Sequence, residues 1–173
     1  TGQGVIALLI LNILSGLPHD APPLSAERLH LEIEAARLAY ALRNRPLADP
    51  AHAEVDADWL LSDALAKDLR GRIDPAKAAE TIPAIVPPAH KDTVYISVVD
   101  RDRNAASFIN SLFHPFGTGR TAPRSGVLLH NRGMCFSFEH GHPTALATGK
   151  RPMHAIITGM LFKDRRVTMS FGV

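Results

Sequence analysis

The stretch that most limits what this chain can fold into is Asp92-Thr93-Val94-Tyr95-Ile96-Ser97-Val98-Val99-Asp100. A short run of β-branched and aromatic residues closed by a charged turn is a strand signal. Both faces of the run are apolar, so it is expected to form a buried inner strand rather than an exposed edge. It follows a linker, residues 81–90, that carries Pro83, Pro87 and Pro88. Helical patterns precede this linker and strand patterns follow it. Helices and then strands, arranged around inner apolar strands, predict an α+β fold. At 173 residues the chain is long enough to bury a core.

The first half reads as a series of helices. Residues 5–15 form an apolar segment ended by Gly16, hydrophobic nearly all round and so expected to be buried. A Pro-rich connection follows. Ser25 then sits as an N-cap with Glu27 in the first turn. From there Leu29, Ile33, Ala36 and Tyr40 recur at helical spacing to about Asn44, where Arg45-Pro46 breaks the helix. On this helix His30 and Glu34 are i,i+4 neighbours, and a surface pair holding the helix in place is their simplest reading. Asp56 or Asp58 caps a helix through Trp59, Leu60, Leu61, Leu65 and Leu69 that ends at Gly71, and Asp74-Pro75 opens a further short helix.

In the second half, Asp100-Arg101-Asp102-Arg103-Asn104 is a turn that folds residues 105–113 back as a hairpin strand. Residues 127–130 are expected as a short buried strand and residues 154–162 as another. The latter turns at Lys163-Asp164-Arg165-Arg166 into a last strand over 167–171.

Several function classes recede. A net charge of +2 is too small to argue for nucleic acid. The lone Cys135 excludes an internal disulfide framework. No stretch approaches the ~18 apolar residues of a membrane span. Residues 5–14 are too short and lack the basic flank of a signal peptide. The compartment stays open between cytoplasmic and periplasmic or extracellular. Asp100-x-Asp102-x-Asn104 imitates the start of a calcium loop, but Ala105 stands where that loop needs glycine and Ser111 where it needs glutamate. His140, His142 and His154 lack a zinc-ligand spacing. Cys135 reads as a buried inert thiol rather than a nucleophile.

Thr93 has two readings. It is an ordinary β-branched strand residue, or it is the hydroxyl that an N-terminal-nucleophile hydrolase places at the start of a buried strand. In such enzymes the chain cuts itself before that residue, and the freed α-amine serves as its base. The segments around it decide which reading to favour. Residues 93–105, Phe116-Gly117-Thr118-Gly119, Gly126-Val127-Leu128-Leu129-His130-Asn131-Arg132-Gly133, Phe136-Ser137 and Gly149-Lys150-Arg151-Pro152 occur in one order and spacing. Together they resemble the gamma-glutamyltransferase (gamma-glutamyltranspeptidase) family of N-terminal-nucleophile hydrolases. His30, Glu34 and Ala35 match a helix of that family more loosely.

The resemblance implies part of a four-layer αββα sandwich. It makes residues 1–92 the end of a large subunit and residues 93–173 the start of a small one. It implies cleavage between Asp92 and Thr93, Thr93 as nucleophile, and Ser111 as a second hydroxyl bonded to it. Asn131, Arg132, Cys135, Phe136 and Ser137 would line the substrate pocket. The implied activity is that of an amidohydrolase/acyltransferase acting through an acyl-enzyme on gamma-glutamyl, glutathione-type or related amides. No metal or organic cofactor is called for. The implied partners are the small-molecule substrate and the rest of the same precursor, with no nucleic acid and no membrane span.

The sequence departs from the family at telling places. Val94 and Tyr95 replace a second Thr and a His, and Lys91 is bulky for its position before the Asp-Thr pair. Cys135 stands where the family carries an Asp for the substrate's α-amino group, and a thiol cannot make that charged bond. Phe113 replaces a substrate-contacting Asn. Arg132 is either a carboxylate clamp or a structural ion-pair partner. The family's carboxylate-gripping arginine is expected upstream of Thr1, and its oxyanion Gly-Gly pair beyond Val173. The chain alone is therefore expected to be inactive, the alternative being a non-catalytic homologue used as a scaffold or interaction module.

Overall fold

A computed structural model describes residues 2–43, 47–80 and 93–172. Four helices come first: α1 (Gly4–Leu14), α2 (Ala26–Arg43), α3 (Ala57–Leu60) and α4 (Asp63–Arg70). Two antiparallel hairpins follow, β1 (Thr93–Val99) with β2 (Ala105–Ser111), and β3 (Thr158–Lys163) with β4 (Arg166–Gly172). A 3-10 turn, Arg132–Cys135, lies between the hairpins in sequence. The fold is α+β. The chain divides into two compact units, Val5–Pro87 and Thr1–Gly4 with Pro88–Val173. The linker and the Asp92 side of the Asp92–Thr93 junction lie outside the described residues, as does the break expected at Arg45-Pro46.

In the helical unit, α1 buries Ile6, Leu9 and Ile13 on one stripe, while Leu8 and Leu11 stay exposed. The helix is apolar all round but covered on one side only. Its last carbonyls are capped from a distance. Arg70 donates from Nε to the Ile13 carbonyl at 2.9 Å and from Nη2 to the Asn12 carbonyl at 2.9 Å. A cation at a helix C-terminus satisfies orphan acceptors and opposes the negative end of the dipole. Ser25 caps α2, accepting from the Arg28 amide at 3.3 Å.

Three expectations need correction here. The helix expected from Asp56 to Gly71 is two helices. Asp56 caps α3 through the Trp59 amide at 2.7 Å, and Ser62 caps α4 through the Leu65 amide at 3.3 Å. A serine hydroxyl offers the backbone an alternative to the i−4 carbonyl and restarts the helix. Residues 74–77 form a tight antiparallel bridge instead of a helix; the Asp74 carboxylate accepts from the Ala76 amide at 2.8 Å and closes an Asx turn.

The third correction concerns His30 and Glu34, which do not pair. His30 Nε2 lies 2.7 Å from the Asp74 carbonyl. Glu34 is only 2% exposed and accepts from Arg37 Nη1 at 2.5 Å and from the Ala79 amide at 3.2 Å. Arg37 reaches on to the Ala79 carbonyl at 3.1 Å. Glu34 and Arg37 thus fasten Ala79 onto α2.

In the strand-rich unit, β1 is not buried. Val94, Ile96, Val98 and Val99 are exposed. The strand belongs to a two-stranded ribbon, and only the face carrying Tyr95, Ser107 and Ile109 is covered among the described residues. The second ribbon packs there. Tyr95 Oη bonds Ser170 Oγ at 2.5 Å and Ser107 Oγ at 3.0 Å. Gly172 is required at this contact, because a Cβ would lie 2.5 Å from the Tyr95 ring. Residues 127–130 are not a strand: Leu128 makes one isolated bridge to Thr121, and Val127 and Leu129 are exposed. The β3–β4 turn is a left-handed pair, Asp164 (φ 50°) and Arg165 (φ 63°), suited to the twist of a two-residue hairpin.

Replacing the buried carboxylate by Glu34→Ala is expected to destabilise the helical unit by ~1–3 kcal/mol, the cost of unpairing charge-assisted and buried donors. Urea denaturation of the two proteins measures it.

Candidate active site

The site starts from the hairpin register. The turn between β1 and β2 is tied by Asp100, whose Oδ1 accepts from the Asp102 amide at 2.9 Å and the Asn104 amide at 2.8 Å. Its Oδ2 accepts from Asn104 Nδ2 at 2.8 Å. The Asn104 side-chain and backbone donors hold the Asp100 carboxyl below its ordinary pKa. This turn pairs Val99 with Ala105 and, at the far end, Thr93 with Ser111. The two hydroxyls therefore share a face, and Thr93 Oγ1 donates to Ser111 Oγ at 3.2 Å. Ser111 Oγ also accepts from the Phe113 amide at 3.0 Å. Two donors on one hydroxyl fix its orientation, and Thr93 stays half-buried and accessible.

Just past Ser111 the chain enters an unusual conformation. Phe113 has φ 81°, a left-handed value that costs a non-glycine residue of order 1 kcal/mol. It is held there by a buried ring and by the segment at residue 131. The Asn131 amide donates to the Leu112 carbonyl at 3.1 Å, and Asn131 Oδ1 accepts from the His114 amide at 3.0 Å. These bonds bring the Arg132–Cys135 turn to the same end of the hairpin as Thr93 and Ser111.

Arg132 is the outlier of this turn. It is 3% exposed, and its guanidinium carbon stands 5.5 Å from the Phe113 ring centroid. Its Nη1 has no hydrogen-bond partner among the described residues. Burial lowers the Arg132 pKa, with Cys135 acting against that shift. His154 is lowered too, first by its own burial and then by the positive fields of Arg132, His130 and Arg151.

Not every expected pocket residue joins this group. Cys135 is half-buried at the end of the turn. Phe136 closes the turn with its amide on the Gly133 carbonyl at 3.1 Å. Ser137 is engaged elsewhere: its Oγ accepts from the Glu139 amide at 3.0 Å, and its backbone pairs with Thr144 and Leu146. Sequence spacing gave no signal that Arg132, His130 and Arg151 would act together on His154, because that field depends on the path of the loops. Among the described residues, no three His, Cys, Asp or Glu side chains group as a metal site, and no helix is long and apolar enough to cross a membrane.

The family model for gamma-glutamyltranspeptidase matches residues 1–173. The chain belongs to the gamma-glutamyltranspeptidase family. It is 39% identical over 155 residues to the oxamate amidohydrolase proenzyme of Klebsiella pneumoniae, covering 89% of this chain and 28% of that protein. It is 36% identical over 173 residues to the glutathione hydrolase-like YwrD proenzyme of Bacillus subtilis, covering 98% and 32%. Among solved structures, cephalosporin acylase from Bacillus halodurans superposes with a TM-score of 0.81 at 34% identity, over 98% of this chain and 30% of that one. The chain spans about a third of the length of the relatives it matches.

If Asn131 anchors the turn as its bonds indicate, Asn131→Ala frees the His114 amide. Losing one such bond, worth about 1 kcal/mol, is expected to speed hydrogen exchange at His114 roughly fivefold, read by NMR against the unchanged α2 amides.

Proposed function

We propose that the complete protein is an amidohydrolase/acyltransferase that works through Thr93 as an N-terminal nucleophile. The observation that carries this is the Thr93–Ser111 hydroxyl pair, at the first residue of a strand, in a chain of this family. The proenzyme names of the oxamate amidohydrolase and glutathione hydrolase-like relatives support a precursor that is cut. In this reading residues 1–92 end the large subunit and residues 93–173 begin the small one. The two packed ribbons belong to the inner layers of an αββα sandwich.

Thr93 Oγ1 attacks the Asp92 carbonyl carbon, the Asp92–Thr93 peptide bond breaks as an ester forms, and water hydrolyses that ester. The products are an Asp92 carboxylate and a free Thr93 α-amine. In turnover, Oγ1 passes its proton to this amine and attacks the amide carbon of the donor. The donor's amine leaves with the proton, and water or an acceptor amine resolves the acyl ester. Ser111 orients Oγ1 by accepting its hydrogen bond. Asn131, Arg132, Cys135 and Phe136 form the wall against which the acyl group lies, and Ser137, bonded within its own loop, stands apart from it. The substrates are small amides of the kind named by the relatives, and the partners are the remaining parts of the same precursor.

Thr93→Ser in the complete protein is expected to be processed and to keep part of the activity, since it retains the oxygen. Thr93→Ala is expected to do neither. Mass spectrometry of the purified proteins, with thermal melts to verify folding, reads the outcome. An intact wild-type chain after long incubation, without turnover of any amide in a broad panel, would instead favour a scaffold role.

A further inference from the structure

A buried guanidinium, that of Arg132, lies at the same end of the hairpin as the Thr93–Ser111 pair. We infer that Arg132 is the anion-binding element of the acyl pocket, and that the preferred donor carries a carboxylate on its acyl chain and no ammonium group. This rests on the amidohydrolase reading above and names its substrate class.

Three observations support it. First, Arg132 is 3% exposed, and its Nη1 finds no hydrogen-bond partner among the described residues. A guanidinium nitrogen hidden from water without an acceptor is costly, and the cost is recovered when a carboxylate accepts its hydrogen bond. Second, the charges whose fields meet at His154 are all of one sign: Arg132, Arg151 and His130 each lower its pKa. Cys135, at the end of the turn, places a thiol and no carboxylate against this group. A substrate ammonium would meet repulsion here and an anion would meet attraction. Third, the position suits an acyl group. Two residues of chain span at most about 7 Å, so Phe113, under the guanidinium, belongs to the same end of the hairpin as Ser111. The Asn131–Leu112 and Asn131–His114 bonds hold Arg132 there.

The test uses the complete, processed protein and three matched donors. Glutaryl-p-nitroanilide carries the carboxylate alone, gamma-glutamyl-p-nitroanilide adds an α-ammonium, and pentanoyl-p-nitroanilide has neither. Wild type is expected to prefer glutaryl over both others in kcat/KM. Arg132→Met is expected to reduce the glutaryl-to-pentanoyl ratio by roughly 10–100-fold, the worth of one charge-assisted hydrogen bond, and Arg132→Lys to restore part of it. A ratio that stays within twofold in Arg132→Met, or a wild type that prefers gamma-glutamyl, overturns the inference.

A readout without turnover separates this from the nucleophile assignment. Glutarate is expected to raise the melting temperature of wild type more than pentanoate does, whether or not Thr93 is active. Equal shifts for the two overturn the anion site even if Arg132→Met fails to fold. A glutarate-specific shift in a protein that neither cleaves itself nor hydrolyses any amide of a broad panel supports the site while removing Thr93 from the mechanism.

Discussion

The antiparallel register that sets Thr93 opposite Ser111 is the constraint on which the strand-rich unit depends. Side chains alternate along a strand, so a slip of one residue would send the two hydroxyls to opposite faces. The register is pinned at both ends. The Asp100–Asn104 turn fixes the closed end through three bonds to one carboxylate. The hydroxyl pair and the Phe113 amide fix the open end. Between them, Tyr95 ties the same face to the second ribbon through Ser107 and Ser170, where the absence of a side chain at Gly172 lets the ribbons approach.

Two buried charges show how differently one chain can treat the same cost. Glu34 is enclosed in the helical unit and fully employed, with Arg37 and the Ala79 amide on its two oxygens. It behaves as structure. Arg132 is equally enclosed but keeps one nitrogen unpartnered among the described residues, with the Phe113 ring face 5.5 Å from its guanidinium carbon. Removing a partner from a buried ion is more costly than removing the pair. An incompletely satisfied guanidinium therefore marks a place where binding energy is available, whereas a satisfied carboxylate does not. The strained backbone of Phe113 beside it agrees with that distinction.

Much of the local structure was legible in the residues. Ser25 as a cap, the end of the first helix before Gly16, the hairpin turn at Asp100–Asn104 and the Lys163–Arg166 turn all follow from side chains that bond their own neighbourhood. Failures came where a local pattern admitted two outcomes. An apolar run is the same in a buried strand and in an open ribbon, so Val94, Ile96 and Val98 gave no warning of their exposure. Ser62 interrupts a helical period that its apolar neighbours would have continued.

For the site, the motif order placed the chain in its family, and the resemblance to that family pointed from Thr93 to Ser111; the hairpin register then sets the two hydroxyls on a common face. The tertiary structure decided the rest. It separated Glu34 from His30, turned Ser137 to its own loop, and let the charges of Arg132, His130 and Arg151 act together on His154. Burial and electrostatic fields are sums over the chain's path through space. No spacing along the sequence contains them.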